Sequence, residues 1–91
     1  MIEVKCKSTA IHSIVTDGMV YVVDNIIHRE DGPAVIYRSG HTSYYCRGIQ
    51  YNMELVRWAE AVLQFQEKPR DKESVQQFLK VIMQKQVEQM I

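Results

Sequence analysis

The sequence predicts an α+β fold: an antiparallel β-meander of four to six short strands, then a C-terminal two-helix hairpin packed on one sheet face. Three observations carry this. Turn-forming pairs recur at nearly even spacing through the first half, at Asp17-Gly18, Asp24-Asn25, Asp31-Gly32, Ser39-Gly40 and Arg47-Gly48. The stretches between them are rich in Val, Ile, Tyr and Thr, as short strands are. After Asn52 the apolar residues switch to spacings of three and four, the period of an amphipathic helix.

Taken in order, residues 2–7 alternate Ile2, Val4 and Cys6 with Glu3, Lys5 and Lys7, the pattern of a strand half buried on a core. Residues 10–15 form a second strand candidate. Residues 19–23, 26–30, 34–38 and 41–46 follow between the turn pairs, each of which contains a residue that tolerates the positive φ of a tight hairpin turn. Asn52 is a favoured helix N-cap, with Glu54 in the first turn at the positive end of the helix dipole. Leu55, Trp58, Ala59, Val62 and Phe65, with Val56 and Leu63 alongside, give the first helix a broad apolar face, and Pro69 ends it near Glu67. Asp71 caps a second helix whose stripe is Val75, Phe78, Leu79, Ile82, Met83, Val87 and Met90; running to the C-terminus it spans roughly 30 Å. The chain of 91 residues reads as one domain, with residues 1–51 the meander and 52–91 the helical hairpin.

Composition argues against several classes of function. Eleven basic and eleven acidic residues cancel, and they also cancel within each half, five of each in 1–51 and six of each in 52–91. A dedicated nucleic-acid or anionic-membrane binder relies on clustered Lys and Arg, which this chain lacks. No apolar run is long enough to span a bilayer, and the alternating N-terminus does not read as a signal peptide, so a cytoplasmic location is expected. Cys6 and Cys46 form no C-x-x-C pair and are expected as buried thiols in a reducing compartment.

The turn at residues 28–33 invites a chemical reading, because His28, Arg29, Glu30 and Asp31 stand side by side. A His beside carboxylates suits proton transfer. The competing reading is structural: Asp31 caps its own turn, Pro33 fixes φ, and the charges tie a hairpin together. The structural reading is the stronger, so no catalytic residue is assigned. Zinc ligation by Cys6, Cys46, His12, His28 and His41 lacks the short paired spacing of a readable metal site, and nucleophilic catalysis by Cys46 with a His would need a cationic neighbour to activate the thiol, whereas Arg47, adjoining it on a strand, points to the opposite face. No metal or other cofactor is expected. The glycines are isolated turn residues, so no phosphate loop is present.

A faint repeat runs through the meander, with residues 21–28 laid over 44–51: Tyr21 on Tyr44, Asp24-Asn25 on Arg47-Gly48, Ile26 on Ile49. His28-Arg29-Glu30-Asp31-Gly32-Pro33-Ala34, followed by Tyr37, Gly40, Tyr44-Tyr45 and Gly48, resembles the H-R-x-x-G-P-A β-repeat of small proteins from large tailed bacteriophages and some bacteria, which is similar to MORN-type hairpin repeats. The resemblance covers residues 21–51 and contains one full copy; Tyr51-Asn52 stands where a second His-Arg would fall. It implies a β-hairpin scaffold, a phage origin and no enzymatic activity, with His28, Arg29, Glu30, Asp31, Gly32 and Pro33 as the structural motif.

The function expected on these grounds is a non-enzymatic interaction module, a phage accessory protein in the host cytoplasm that binds a host protein or itself. Its candidate interface residues are Tyr21, Tyr37, Arg38, Tyr44, Tyr45, Arg47, Met83 and Met90, chosen because Tyr and Arg favour hot spots and Met adapts to irregular partners. The alternative is a nucleotide- or nucleic-acid-binding module that stacks bases on a Tyr/Arg sheet face.

Overall fold

The computed structural model describes residues 4–15, 17–51 and 54–89, with 85–89 as backbone only. Seven short strands precede two helices: β1 (Thr9–Ser13), β2 (Gly18–Val23), β3 (Ile26–Ile27), β4 (Val35–Ile36), β5 (Thr42–Ser43), β6 (Tyr45–Cys46), β7 (Ile49–Gln50), α1 (Leu55–Phe65) and α2 (Lys72–Gln89). The fold is α+β, with antiparallel pairing throughout. The meander divides into a five-stranded sheet ordered β1-β2-β4-β5, with β3 also on β2, and a separate β6-β7 hairpin.

The division follows from two departures from regular strand geometry. First, β3 and β4 both pair with the same edge of β2, so they are two pieces of one interrupted strand. At the break, the Tyr21 amide donates to the Ala34 carbonyl at 2.7 Å, and the His28 amide donates to the Tyr21 carbonyl at 3.0 Å. His28 and Ala34 therefore share one position of the ladder, and residues 29–33 are pushed out of the sheet. Second, the expected strand over residues 41–46 bends at Tyr44. Thr42 and Ser43 stay with β4, while Tyr45 and Cys46 pair with β7.

Local turn chemistry explains the tight hairpins. Asp24 and Asn25 both have positive φ (49° and 66°), as do Arg47 and Gly48 (51° and 83°), so each pair makes the mirror-image turn whose twist suits two strands. Gly40, at φ 99°, closes the β4–β5 loop. Asp17-Gly18 behaves differently: Ile14, Val15 and Asp17 lie in the β1–β2 turn, and Gly18 is already in β2 opposite Ser13. A Cβ on Gly18 would collide with the Ile36 carbonyl oxygen, so the missing side chain permits the approach of β2 to β4.

Residues 4–8 are not a strand, although their alternation suggests one. They bend at Lys5-Cys6 because both amides point to one acceptor, whereas consecutive amides of a strand point in opposite directions. Residues 2 and 3 of that expected strand lie outside the described residues.

The helical hairpin packs on the small sheet. Tyr44, Cys46, Trp58, Ala59, Val62, Leu63, Val75 and Ile82 form the buried cluster. Trp58, the only tryptophan, is fully buried. It meets Tyr44 edge-on at 4.8 Å between ring centroids and donates its indole N–H to the Tyr45 carbonyl at 3.2 Å. Val56, expected beside this face, is exposed. Glu54 occupies the cap position of α1 without a side-chain cap bond, and the expected cap Asn52 lies outside the described residues. The C-terminal end of α1 closes with the Lys68 amide on the Leu63 carbonyl and the Glu67 amide on the Gln64 carbonyl. This is the two-bond stop usually built on glycine, but here Glu67 takes the left-handed conformation at φ 60°. Asp71 caps α2 as expected: its carboxylate accepts from the Ser74 hydroxyl at 2.7 Å and the Ser74 amide at 3.4 Å.

A left-handed non-glycine residue costs about 1 kcal/mol. Glu67→Gly should therefore raise unfolding stability by roughly 0.5–1 kcal/mol, measured as a higher urea midpoint at unchanged slope. Gly18→Ala should do the opposite, lowering stability by about 2 kcal/mol or more as β4 is pushed from β2.

Candidate functional site

The polar centre of the molecule is the carboxylate of Glu30, carried into the interior by the excursion between β3 and β4. Glu30 is 1% exposed. Its Oε1 accepts from the Lys5 amide at 2.8 Å and from Gln66 Nε2 at 2.6 Å. Its Oε2 accepts from the Cys6 amide at 2.8 Å and from His28 Nε2 at 3.0 Å. Two donors on each oxygen fill the lone-pair directions of a carboxylate. Burial by itself would raise the pKa. The bonds from Gln66, His28 and the Lys5 and Cys6 amides outweigh it and hold the group below its ordinary value of 4.5.

His28 is also fully engaged. The Arg47 amide donates to Nδ1 at 2.9 Å, so the ring hydrogen sits on Nε2 and points at Glu30. The imidazole meets Phe65 edge-on at 5.0 Å. Arg29 turns the other way. Its Nε donates to Asp31 Oδ1 at 2.9 Å and its Nη1 to the Pro33 carbonyl at 3.0 Å, while the guanidinium lies 3.9 Å from the centre of the Tyr21 ring. Gly32 is buried under this group. A Cβ there would sit 3.0 Å from the Arg29 guanidinium carbon, so the glycine answers a close approach. The expected hairpin turn at Asp31-Gly32 is thus absent: Gly32 has no positive φ, and Asp31 accepts from Arg29.

Chemically, this cluster is a lock. A carboxylate that accepts four hydrogen bonds is a weak base, and neither oxygen has a free direction for a substrate. Beside it lies a cavity of about 270 Å³ lined by Cys6, Val23, Asp24, Ile26, His28, Arg47 and Phe65. Its wall is mainly apolar, since His28 presents a ring whose nitrogens are used elsewhere. Cys6 and Cys46 are free thiols. Burial, the leading cause, pushes the Cys46 thiol up from 9.0 and leaves it less nucleophilic. Among the described residues, no group of three or more His, Cys, Asp or Glu side chains is placed to hold a metal ion. No helix formed by the described residues is long and apolar enough to cross a membrane.

The candidate interface residues do not form one face. Tyr44 belongs to the buried core, 6% exposed against Trp58, because the chain turns inward there to change sheets. Tyr21 is half-buried beneath Arg29. Tyr45 is half-buried with its carbonyl held by Trp58, and Tyr37 is half-buried at the end of β4, where its amide donates to the His41 carbonyl. Arg38 is exposed and pairs with Asp17 at 2.9 Å, an exposed contact of small energetic weight. Arg47 is exposed, 5.4 Å from the Phe65 ring centre. Met83 is exposed on α2, and Met90 lies outside the described residues.

Sequence reasoning missed Gln66, Phe65 and the Lys5 and Cys6 amides. The Gln66, Lys5 and Cys6 groups lie 24–36 residues from Glu30, Phe65 is similarly distant from His28, and none of them carries a local signal. It also missed the outermost apolar surface. Ile14 is 91% and Val15 95% exposed in the β1–β2 turn, and Ile11 is 46% exposed on β1. A signal for these was present, since residues 8–16 contain no Asp, Glu, Lys or Arg. No family model, curated protein or solved structure matches the chain.

The lowered pKa of Glu30 fixes the sign of an acid effect. Its contribution is complete above the unfolded value near 4.5 and is lost as the pH falls through the lower folded value. Glu30→Gln turns an amide NH2 toward converging donors and should cost about 3 kcal/mol at neutral pH. Urea titrations followed by Trp58 fluorescence should show the gap between wild type and variant widest at neutral pH and narrowing below pH 4.5.

Proposed function

We propose that the chain is a non-enzymatic protein-interaction module, a phage accessory protein that binds and modulates a host defence or regulatory protein. The observation that carries the interaction reading is the apolar tip of the β1–β2 hairpin, where Ile14 and Val15 stand almost wholly in solvent. Apolar side chains presented together at a loop tip suit insertion into a partner. The phage and host assignment rests on the resemblance of residues 21–51 to the H-R-x-x-G-P-A repeat, and a host-cytoplasmic location follows from it. The non-enzymatic reading is supported by the engagement of His28 and Glu30 with each other and with backbone amides. A nucleotide- or nucleic-acid-binding role has less support, because Tyr21 and Tyr44 are covered by Arg29 and Trp58 and offer no shared stacking surface.

Both tip side chains are exposed, so replacing them should change stability by no more than about 0.5 kcal/mol. The purified chain used as bait in host lysate should retain one protein in stoichiometric amount. Ile14→Asp/Val15→Asp, equally folded by Trp58 fluorescence, should retain at least tenfold less. Equal retention by the two baits, or no stoichiometric protein on the wild type, would count against the proposal.

A further inference from the structure

The hydrogen-bond parity of the large sheet determines what its β1 edge offers. The amide and carbonyl of Tyr21 are used toward Ala34 and His28, on the side of β2 away from β1. In an antiparallel ladder these directions alternate, so Val20 and Val22 point theirs at β1 and are bonded to Ile11 and Thr9. The backbone groups of Ala10 and His12 consequently point away from the sheet. β1 ends the strand order, and among the described residues no strand pairs with its outer side.

Natural edge strands are usually blunted by charge, proline or a bulge. This edge has none of them: residues 8–16 are Ser-Thr-Ala-Ile-His-Ser-Ile-Val-Thr. Its pairing with β2 runs unbroken from Thr9 to Ser13. An antiparallel partner centred on Ile11 would satisfy each outward group. Ala10 of one copy would exchange both backbone bonds with His12 of the other, His12 with Ala10, and the Ile11 side chains would meet between them. A second copy supplies this match by symmetry, because the outward groups of each strand meet the same groups of the other. A centre at His12 would set two imidazoles directly opposite each other, and a centre at Ala10 would leave each Ile11 facing a threonine. No charged side chain opposes another along the strand from Thr9 to Ser13, and the formal net charge of the chain is zero, so no like charges meet within the paired strands.

We propose that two copies of this chain associate by antiparallel pairing of β1 with β1 about a two-fold axis through Ile11, joining their large sheets into one. The strand pairs about the axis run from Thr9 to Ser13 and leave out the Ile14-Val15 tip, and the pairing stands or falls independently of the host-partner reading.

Light scattering on the purified chain across a concentration series should show the mass rising from 10.6 kDa toward twice that value. Ile11→Lys, which sets two cations at the axis, should hold the mass at one copy. Ala10→Pro should do the same, because it removes an outward-facing N–H that β1 does not use toward β2. Register is read by cysteine cross-linking in a Cys6→Ser background. The non-bonded pair at the axis has Cα atoms about 4.5 Å apart, within disulfide range. Ile11→Cys should therefore form a covalent dimer at least tenfold faster than His12→Cys. A wild-type mass that stays at one copy up to hundreds of micromolar would overturn the proposal. So would a dimer indifferent to Ile11→Lys, or faster cross-linking through His12→Cys. Should Ala10→Pro fail to fold, Ile11→Lys and the cross-linking pair decide the matter. Because no host component is present, lost capture by the tip variant has no bearing on these outcomes.

Discussion

A charged group in a protein interior is tolerable only when its hydrogen-bonding capacity is filled, and Glu30 shows how much structure that requirement can organise. Its carboxylate collects the N-terminal segment through two backbone amides, the C-terminal end of α1 through Gln66, and the β6–β7 turn through His28 and the Arg47 amide. Each of these segments lies far from Glu30 in sequence and makes few regular contacts with the large sheet. The carboxylate joins them in a domain whose apolar core is small and one-sided.

The same requirement accounts for the irregularity of the β region. To bring Glu30 inward, the chain leaves the ladder at His28 and rejoins it at Ala34. The charge that this exposes on the other side of the excursion is covered locally: Arg29 folds onto Tyr21 and Asp31, and Gly32 leaves room beneath it. Tyr44 completes the arrangement by turning inward to Trp58, which separates the β6–β7 hairpin from the large sheet and gives the helices a surface to pack on.

Much of this was legible in the sequence, and the division between legible and hidden is a division between local and distant forces. The positive-φ pairs at Asp24-Asn25 and Arg47-Gly48 work through their own backbone, and they turn the chain where expected. The stripe of Trp58, Ala59, Val62 and Leu63 and the cap at Asp71 are equally local. Asp31-Gly32 carries as strong a local turn signal, yet its conformation is decided by Arg29 and by the distant donors of Glu30. Residues 4–7 alternate like a strand, but two of their amides are drawn to one carboxylate. The tyrosines illustrate the same limit: composition marks Tyr21 and Tyr44 as recognition residues, while their neighbours in space, Arg29 and Trp58, cover them.

The interrupted strand has a modular consequence. Because His28 and Ala34 share one rung, residues 29–34 form an insertion in an otherwise regular four-stranded pattern: removing them would carry Ile27-His28 directly into Val35 with no change of side-chain alternation. The sheet would keep its ladder and lose its attachment to the N-terminal segment and to α1. Secondary structure and tertiary assembly are thus encoded in separable pieces of the chain. Any lengthening or shortening of this excursion leaves the strands intact while moving the carboxylate on which the N-terminal segment, α1 and the β6–β7 turn converge.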